Sequence, residues 1–492
     1  MLLLGIDVGT SSIKVSVVDA QTQRAVASAQ FPETEAEIIS HQSGWAEQSP
    51  QSWWQYAQQA ILKAHASKTY NPKDIVAIGI AYQMHGLVLV DKKQEVLRDS
   101  IIWCDSRAVP YGDKAFDAIG AEACLSCLLN SPGNFTAAKL AWVKENEPDV
   151  YEKVDKLMLP GDYLAMMLTG SITTSISSLS EGIFWDFAKD NLSEDVMHYF
   201  GFDNSIIPAI QNVFSEHGYV TDAMAELLQL KAGIPVSYKA GDQPNNALSL
   251  NVLEPGEVAA TAGTSGVIYG VSDVLAYDKQ SRVNTFAHVN YTQQQKRLGI
   301  LLCINGTGIL NKWLKNVAGN KFSYAELNEA ASAVKEGSDG LYILPFGNGA
   351  ERMLNNKLVG AHIHHIDLNK HSAAHLYRAG QEGIAFAFKY GLDIMRDNGM
   401  NPSVIRAGRT NMFLSKVFAD AFVNVTNVPV ELYESDGSVG AALGAGIGAK
   451  VFSDAKEAFK NMKLLETIEP NGKYLYDKHY EQWNAYLLKE LA

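Results

Sequence analysis

The first eighty residues alternate short apolar segments with tight polar turns, a pattern typical of strands joined by hairpins. Three such strands are predicted at Leu2–Val8, Ile13–Asp19 and Ala25–Phe31. Apolar residues then recur at helical spacing over Gln51–Ser67, and a buried strand is predicted at Ile75–Ile80. Strands that alternate along the chain with long amphipathic helices indicate an α/β fold.

The order of elements at the start of the chain returns in its second half. Gly256–Ala262 and Val267–Val271 predict a second hairpin, and helices and further strands follow it. The chain has 492 residues, well above the ~100–200 of one domain, so we expect two domains. The change of domain is placed near residues 240–255, which gives domains of residues 1–248 and 249–492.

Both predicted hairpins turn through Gly-Thr-Ser. Successive backbone N–H groups in such a turn form a concave nest for anions, and the hydroxyl groups add donors. Each turn alone is equally compatible with an ordinary polar hairpin. Their repetition, with Asp7 just before the first turn, indicates a duplicated fold that clamps a polyphosphate between its halves. The two turns are Gly9-Thr10-Ser11 and Gly263-Thr264-Ser265.

Composition narrows the classes of function. The formal net charge is −13 and no run rich in Lys or Arg occurs, so we expect no nucleic-acid partner. No segment approaches the ~18 apolar residues of a membrane span, and the N-terminus lacks the basic region of a signal peptide. Four cysteines in so long a chain indicate a reducing compartment rather than a disulfide framework. We therefore expect a cytoplasmic protein with no membrane partner.

Polar residues follow several predicted strands, where ligands bind in α/β sheets. Asp7 could meet the metal ion that accompanies a nucleotide, or it could cap its own turn. His85, within Gln-Met-His-Gly, suits contact with a substrate, although a lone histidine is more often structural. Asp242 follows the strand Val236–Ala240 and could take a proton from a hydroxyl group, or it could form an Asx turn.

Two glycine-rich segments near the C-terminus permit nucleotide contacts without requiring them. Residues 404–411 predict a strand, a glycine turn and a helix start, which suits a nucleobase and ribose or no ligand at all. Residues 437–446 resemble a dinucleotide loop only faintly, because Lys450–Lys463 is predicted to be helical where a Rossmann unit needs a strand. A closely packed helix of small residues is favoured there. The chain has no GxxxxGK[ST] motif, so an ATP site would lack a Walker lysine.

Many spaced motifs resemble, in the same order, those of the FGGY carbohydrate kinases, and within that family the kinases of D-xylulose most closely. The resemblance runs from about residue 3 to about residue 448, and Gln-Met-His-Gly is the marker of the xylulose subgroup. It is carried by residues 5–11, 44–54, 83–86, 102–107, 135–142, 159–164, 241–242, 263–266 and 437–444.

The resemblance implies two actin-like ATPase (ribonuclease H-like) domains with a cleft between them, each a mixed five-stranded sheet flanked by helices. The first domain would bind the sugar and the second the nucleotide. It implies phosphorylation of O5 of D-xylulose by ATP with Mg²⁺. The resemblance also implies that Asp242 is the general base and that Asp7 organises the metal and the phosphates. It implies that Met84, His85 and Asp105 lie at the sugar. The residues carried over to the nucleotide are Thr10, Ser11, Gly263, Thr264, Ser265, Trp313, Gly408 and Asn411.

The chain departs from the family pattern in three places. Residues 174–177 lack the usual aspartate, residues 243–246 differ from the commoner Asn-Ala-Ala run, and residues 406–411 replace a Gly-Gly-Gly-Ala-x-Ser motif. None of these removes a catalytic group, but the second leaves the sugar epimer open and the third leaves the adenosine contacts open. The remaining alternatives are a kinase for another ketose, such as ribulose, and an actin-like, sugar-sensing ATPase. A sugar and ATP are the expected partners, with a homodimer left open.

Overall fold

The first half of the chain forms a five-stranded mixed sheet with helices on both faces, in a computed structural model that describes residues 1–317, 321–471 and 475–492. Its helices are α1 (Pro50–His65), α2 (Val109–Ile119), α3 (Ala121–Leu128), α4 (Thr136–Asn146), α5 (Pro148–Tyr151), α6 (Pro160–Thr169), α7 (Ile176–Glu181), α8 (Glu194–Phe200), α9 (Asp222–Leu227) and α10 (Asp242–Ser249). Its strands are β1 (Leu2–Val8), β2 (Ile13–Asp19), β3 (Arg24–Phe31), β4 (Glu47–Gln48), β5 (Ile75–Tyr82), β6 (Val88–Val90), β7 (Ser100–Ile101), β8 (Lys156–Met158), β9 (Thr173–Ser175), β10 (Trp185–Asp186), β11 (Asn191–Leu192), β12 (Ala209–Gln211) and β13 (Val236–Gly241).

The second half forms a seven-stranded mixed sheet. Its helices are α11 (Gly308–Val317), α12 (Tyr324–Ser332), α13 (Ala373–Asp397), α14 (Lys416–Thr426), α15 (Gly437–Gly448), α16 (Ala455–Ala458) and α17 (Leu475–Leu491). Its strands, with a two-stranded hairpin of β18 and β19, are β14 (Glu257–Ala262), β15 (Gly266–Ser272), β16 (Asn284–Ala287), β17 (Leu298–Ile304), β18 (Tyr342–Phe346), β19 (Gly360–His364), β20 (Val404–Gly408), β21 (Val430–Tyr433) and β22 (Leu464–Ile468).

The two sheets repeat one topology. The first has the order β3-β2-β1-β5-β13, and the second contains the matching order β17-β15-β14-β20-β21. In each, three antiparallel strands are followed by two parallel ones. The second sheet adds β16 and β22 at its edges, so it has seven strands where the resemblance implied five. The predicted fold of two actin-like domains is confirmed, and the Gly-Thr-Ser turns lie at equivalent hairpins, β1–β2 and β14–β15.

Strand β1 is apolar at nearly every position because both faces of the first sheet are buried. Leu4 and Ile6 pack in one cluster with Trp53 of α1, whereas Leu3 lies in a second cluster on the opposite face. That second cluster contains Ala441 and other small residues of α15. The first sheet is therefore covered on one side by its own helix and on the other by a helix from far along the chain.

Helix α15 belongs by sequence to the second half, but it lies on the first sheet. A Cβ atom added at Gly5 of β1 would meet the Ser438 carbonyl oxygen at 1.8 Å, and one added at Gly79 of β5 would meet that of Ala441 at 2.0 Å. Glycine on the strands and small residues on the helix are thus required for backbone-to-backbone packing. The predicted closely packed helix of small residues is confirmed. The domain limits of 1–248 and 249–492 stay predictions.

The prediction of a helix over Lys450–Lys463 is wrong. Only α16 is helical there, and β22 follows it as an antiparallel edge strand on β21. The buried side chains of Phe452 and Phe459 both pack in the cluster that contains α15. Tertiary packing of these two rings, rather than helical periodicity, sets the path of this segment.

Composition gave expectations about membranes and thiols. Within residues 1–317, 321–471 and 475–492, no helix combines the length and the apolar character needed to cross a membrane. All four cysteines carry free thiols, and Cys124 and Cys127 both lie on α3. The cytoplasmic location and the homodimer stay predictions.

Candidate active site

Two carboxylates, Asp7 and Asp242, lie where the first sheet meets the start of α15. Asp7 is near the end of β1, and Asp242 is the first residue of α10, directly after β13. A Cβ atom added at Gly437, the first residue of α15, would lie only 2.4 Å from Oδ2 of Asp7. The Asn245 side-chain amide of α10 donates to the Gly437 carbonyl at 2.9 Å. The starts of the two helices and the Asp7 carboxylate therefore form one contiguous site.

Both carboxyl groups hold their protons more tightly than they would in water. Burial raises the pKa of Asp7 to about 6, and the neighbouring Asp436 carboxylate adds to the rise while Lys14 opposes it. Burial also raises the pKa of Asp242 to about 7, with the negative charge of Asp7 as the second cause. Carboxylates that repel each other in a sheltered cleft favour a bound cation. Because Mg²⁺ prefers carboxylate oxygens and water as ligands, these residues fit that ion, with Asp7 as the candidate ligand.

Lys14 joins the first hairpin to the start of α15. Its ammonium group forms an ion pair with Asp436, and its side chain remains 42% exposed. The Asp436 carboxylate also accepts hydrogen bonds from the N–H and the hydroxyl of Ser438, at 3.0 and 2.7 Å, and so caps the helix. The ion pair thus connects the two halves of the chain beside Asp7.

His85 follows β5 in a left-handed backbone conformation, with a φ of 64°, and it is held from several sides. Its N–H donates to Oε1 of Glu181 at 3.2 Å, and its carbonyl accepts from Nζ of Lys139 at 2.7 Å. The ring packs edge-on against Phe135, with centroids 4.8 Å apart, and at a tilt against Phe286, with centroids 5.5 Å apart. Phe286 belongs to β16, so the second sheet helps to close the pocket around His85.

The contacts of the His85 ring determine its tautomer. Nδ1 faces the Glu181 carbonyl at 3.1 Å, and because a carbonyl can only accept, Nδ1 carries the proton. Burial, followed by the positive charge of Lys139, lowers the pKa of His85 to about 3, so the ring is neutral near pH 7. In the described part of the chain no hydrogen bond engages Nε2. This nitrogen is therefore an acceptor that can receive a ligand hydroxyl.

Hydrogen bonds link the first Gly-Thr-Ser turn to Gln-Met-His-Gly. The Thr10 hydroxyl donates to Oε1 of Gln83 at 3.0 Å and accepts from the indole N–H of Trp103 at 2.9 Å. The Gln83 amide in turn donates to Gln48 at 2.9 Å. Thr10 thus contacts the predicted sugar side of the cleft. Its contact with a phosphate, like that of Ser11, stays a prediction.

Met84 and Glu181 fill the space behind the glycine that precedes Asp242. A Cβ atom added at Gly241 would lie 2.6 Å from Cγ of Met84 and 2.8 Å from Oε2 of Glu181. Met84 is buried, and its side chain lies directly beside the start of α10. The structure therefore places Met84 beside the start of α10, and the contact of Met84 and His85 with a sugar stays a prediction.

Asp105 is fully buried, and protein groups occupy its carboxylate. Oδ2 accepts from the Ala46 N–H at 2.6 Å, and the Arg107 side chain donates to both oxygens at 2.7 to 3.1 Å. The Arg107 guanidinium also lies 3.8 Å from the Trp45 ring centroid and pairs with Glu47. Asp105 thus holds this segment in place, and its nearness to a sugar stays a prediction.

A pocket of about 440 Å³ opens beside the second Gly-Thr-Ser turn. Gly263, Thr264 and Asn411, all predicted nucleotide residues, line it. The N–H of Gly308 donates to the Gly263 carbonyl at 2.9 Å, so α11 begins directly against the turn. A concave pocket with a few converging polar groups suits a nucleoside.

Other predicted nucleotide residues lie outside this pocket lining. Trp313 is 51% exposed on α11, Gly408 ends β20, and Ser265 is exposed in its turn. Their contacts stay predictions. Tyr324 and Asn328 of α12 do line the pocket, and no sequence motif marks them, because the packing of α12 alone brings them there.

Sequence reasoning also missed two buried ionisable residues beside His85, Lys139 and Glu181. Lys139 is completely buried on α4 and donates to the carbonyls of His85 and Ile102, at 2.7 and 3.0 Å. A lysine inside the apolar run of residues 137–143 was a usable signal, because an ammonium group is buried only where partners satisfy it. Glu181 sits in a serine-rich segment that gave no comparable signal.

Both halves of the chain are similar to known proteins. Models of the N-terminal and C-terminal domains of the FGGY family of carbohydrate kinases match residues 2–249 and 258–449. The xylulose kinase of Escherichia coli strain K12 is 28% identical over 486 residues, covering 97% of this chain and 95% of that protein. A crystal structure of xylulose kinase from Rhodospirillum rubrum has a TM-score of 0.89 at 25% identity, covering 99% of both chains. Plasmodium falciparum glycerol kinase, crystallised with ADP, also has a TM-score of 0.89 at 20% identity, covering 100% of this chain and 98% of that chain, so the fold alone does not determine the acceptor.

Proposed function

Because this chain belongs to the FGGY family of carbohydrate kinases, we propose that its acceptor is D-xylulose, phosphorylated at O5 with Asp242 as the general base. As a member of that family it is a carbohydrate kinase that uses ATP and Mg²⁺. One observation carries the proposal: Asp242 stands between the Asp7 carboxylate and the Gln-Met-His-Gly turn, with its pKa raised to about 7.

The residues of the cleft divide the chemistry among them. Asp242 takes the proton of the sugar hydroxyl as the sugar oxygen bonds to the γ-phosphorus of ATP and the bond from that phosphorus to ADP breaks. A pKa near 7 is well matched to this role. The neutral His85 ring accepts a hydrogen bond from another sugar hydroxyl through Nε2. Asp7 would hold Mg²⁺, which when bound offsets the negative charge of the phosphates. The backbone N–H groups of the Gly-Thr-Ser turns cradle the phosphates.

Two features support xylulose as the sugar. The Escherichia coli relative is a xylulose kinase, and its similarity covers nearly the whole chain. Gln-Met-His-Gly, the marker of that subgroup, lies beside Asp242 rather than at a remote surface.

A panel of sugars tests the proposal directly. Purified protein with Mg-ATP is assayed for ADP release with D-xylulose, D-ribulose, L-ribulose, D-xylose, gluconate and glycerol. We expect the highest kcat/KM with D-xylulose, and a product that carries phosphate on C5. A higher kcat/KM with another acceptor would replace xylulose, and ATP turnover that ignores every sugar would favour a sugar-sensing ATPase.

The acid limb of the pH profile of kcat/KM should reflect the ionisation of Asp242. At saturating Mg-ATP, kcat/KM for the sugar should rise tenfold per pH unit at acid pH and level off near or below pH 7, because the base acts only when ionised. Burial is the main cause of the raised pKa of Asp242 and repulsion by Asp7 the second. Mg²⁺ beside Asp7 reduces that repulsion, so the plateau should begin at lower pH as the Mg²⁺ concentration increases. A profile that is flat from pH 5 to 8 would contradict the assignment.

His85→Ala should weaken sugar binding selectively. Loss of a buried polar partner costs roughly 1–3 kcal/mol, so the KM for xylulose should rise about five- to 150-fold. The KM for ATP should change much less. His65→Ala, which removes another largely buried histidine, far from the cleft on α1, is the control for general destabilisation. A normal KM for xylulose in His85→Ala would count against the whole sugar site.

A further inference from the structure

Glu181 is a buried acid that the reaction outlined above does not use. It ends α7 and is only 1% exposed. One carboxyl oxygen, Oε1, accepts from the His85 N–H at 3.2 Å. The other, Oε2, is buried and has no hydrogen-bond partner among the described residues. A buried oxygen without a partner is costly, so its presence beside an active site requires an explanation.

The unpartnered oxygen lies close to the candidate base. Gly241 directly precedes Asp242, and its missing side chain leaves the space that Oε2 of Glu181 and the Met84 side chain occupy. Any larger residue at position 241 would displace one of them. The Glu181 carboxyl therefore sits between the base and the turn that carries His85.

Helix α7 is fixed to the second sheet, which holds Glu181 in place. The Ser177 hydroxyl donates to the Ala287 carbonyl at 2.8 Å, and the Ala287 N–H donates to the Ser180 hydroxyl at 2.9 Å. Ser175 caps the start of the helix by accepting from the Ser178 N–H. Glu181 is thus positioned by anchors on both halves of the chain rather than by its own contacts.

The surroundings favour the neutral form of this acid. Burial is the main cause that raises the pKa of Glu181 well above its usual range, and Asp242 and Asp162 raise it further against the opposing effects of the His85 N–H and Lys139. A neutral carboxyl tolerates an unpartnered oxygen far better than a carboxylate does. It also adds no negative charge beside the base. The titratable groups that face it are Tyr82, His85, Lys139, Asp162, Asp242 and Tyr269.

We propose that Glu181 is a positioning residue for the sugar, which acts as a neutral acid by holding His85 so that Nε2 faces the substrate. Its carboxyl oxygen receives the His85 N–H, and its backbone carbonyl receives Nδ1–H, so both the left-handed backbone and the tautomer of His85 depend on this residue. The inference rests on the proposed function only in that a sugar occupies the His85 pocket. It does not depend on which sugar that is.

Three variants separate this role from a general effect on folding. Glu181→Ala removes the acceptor for the His85 N–H, so both the KM and the calorimetric dissociation constant for the sugar should rise about five- to twentyfold. The KM for ATP should change less than about twofold. Glu181→Gln keeps a neutral acceptor of the same shape and should restore sugar affinity to within about threefold of wild type. Glu382→Ala is the matched control, because it removes another buried glutamate, one that pairs with Arg378 on α13 and has no contact with His85, and it should keep the wild-type sugar affinity.

The pH profile of Glu181→Gln tests the neutral state. If Glu181 carries a proton, replacing it by Gln changes no charge, and the acid limb of kcat/KM should have the same midpoint as in wild type. A midpoint that moves to lower pH would show that Glu181 is ionised beside Asp242 and would overturn the proposal, as would normal sugar affinity in Glu181→Ala. If wild type phosphorylates a sugar other than D-xylulose, the proposed substrate is wrong, and the same comparison is read with that sugar.

Discussion

Asp242→Asn should lower kcat by at least about 10²–10⁴-fold, the range that a general base contributes. Asn has nearly the same shape as Asp but cannot take the proton of the sugar hydroxyl. The loss should appear in kcat with little change in Mg-ATP affinity, because the nucleotide pocket is built from the second half of the chain. Coupled measurement of ADP release gives kcat, and calorimetry gives the affinity for Mg-ATP.

Thermal unfolding distinguishes this loss from misfolding. The folded-state pKa of Asp242, about 7, lies above its ordinary value of 3.8, so ionisation of this group destabilises the fold as pH rises from about 4 to 7. Asn carries no charge, so the variant should unfold at the same temperature as wild type or higher when measured at pH 8. A variant that is stable and keeps near-wild-type kcat would remove Asp242 from the mechanism.

Asp7→Ala should also nearly abolish turnover, in this case because it weakens the binding of Mg-ATP. A lost metal ligand should weaken Mg-ATP by about 10²-fold or more, since even the outer partners of metal ligands contribute 10–100-fold. Xylulose binding without nucleotide should look nearly unchanged in calorimetry, because the contacts predicted for the sugar lie at Met84 and His85. The raised pKa of Asp7 predicts that this difference is largest above pH 6, where the wild-type carboxylate is ionised.

Asp19→Ala is the matched control for Asp7→Ala. It removes an aspartate from the far end of the same hairpin, where the carboxylate accepts hydrogen bonds from the neighbouring N–H groups of Gln21 and Thr22. Mg-ATP affinity should stay at the wild-type value in this control. Lost sugar affinity with intact Mg-ATP affinity in Asp7→Ala would contradict the metal assignment.

Local patterns predicted the duplicated sheets well. Residues 2–19 and 256–271 both show two apolar runs around Gly-Thr-Ser, and both form the predicted hairpin. The pattern predicts hairpins correctly because their pairing is determined by residues that are neighbours in sequence. The pairing of β5 with β1, and of β20 with β14, was beyond such reasoning. Parallel pairing depends on which distant strand lies alongside, and no turn specifies it.

The candidate site could be predicted where a residue lies at, or shortly after, the carboxyl end of its own strand. Asp7, His85 and Asp242 satisfy this condition, and the sheet order brings their strands β1, β5 and β13 together. Lys139 and Glu181 come from helices that pack onto these strand ends, so their role depends on tertiary contacts that the residue pattern does not encode. The helix predicted over residues 450–463 was wrong for the same reason. The buried rings of Phe452 and Phe459 pack in the cluster that contains α15, and this tertiary contact sets the path of the segment.

The position of α15 on the first sheet has a consequence for biosynthesis. Lys14 and Asp436 are paired although they are 422 residues apart in sequence, and the same helix covers the glycines of β1 and β5. A ribosome that adds about 5–20 residues per second needs roughly 20 to 80 seconds to synthesise the chain between Lys14 and Asp436. The first sheet is complete only once β13 (Val236–Gly241) has been made, and one of its faces then lacks its cover until α15 follows. The emerging chain should therefore be most vulnerable to aggregation and to proteases in this interval, and a chaperone that shields an open apolar sheet should have its greatest effect on yield before residue 448 has left the exit tunnel.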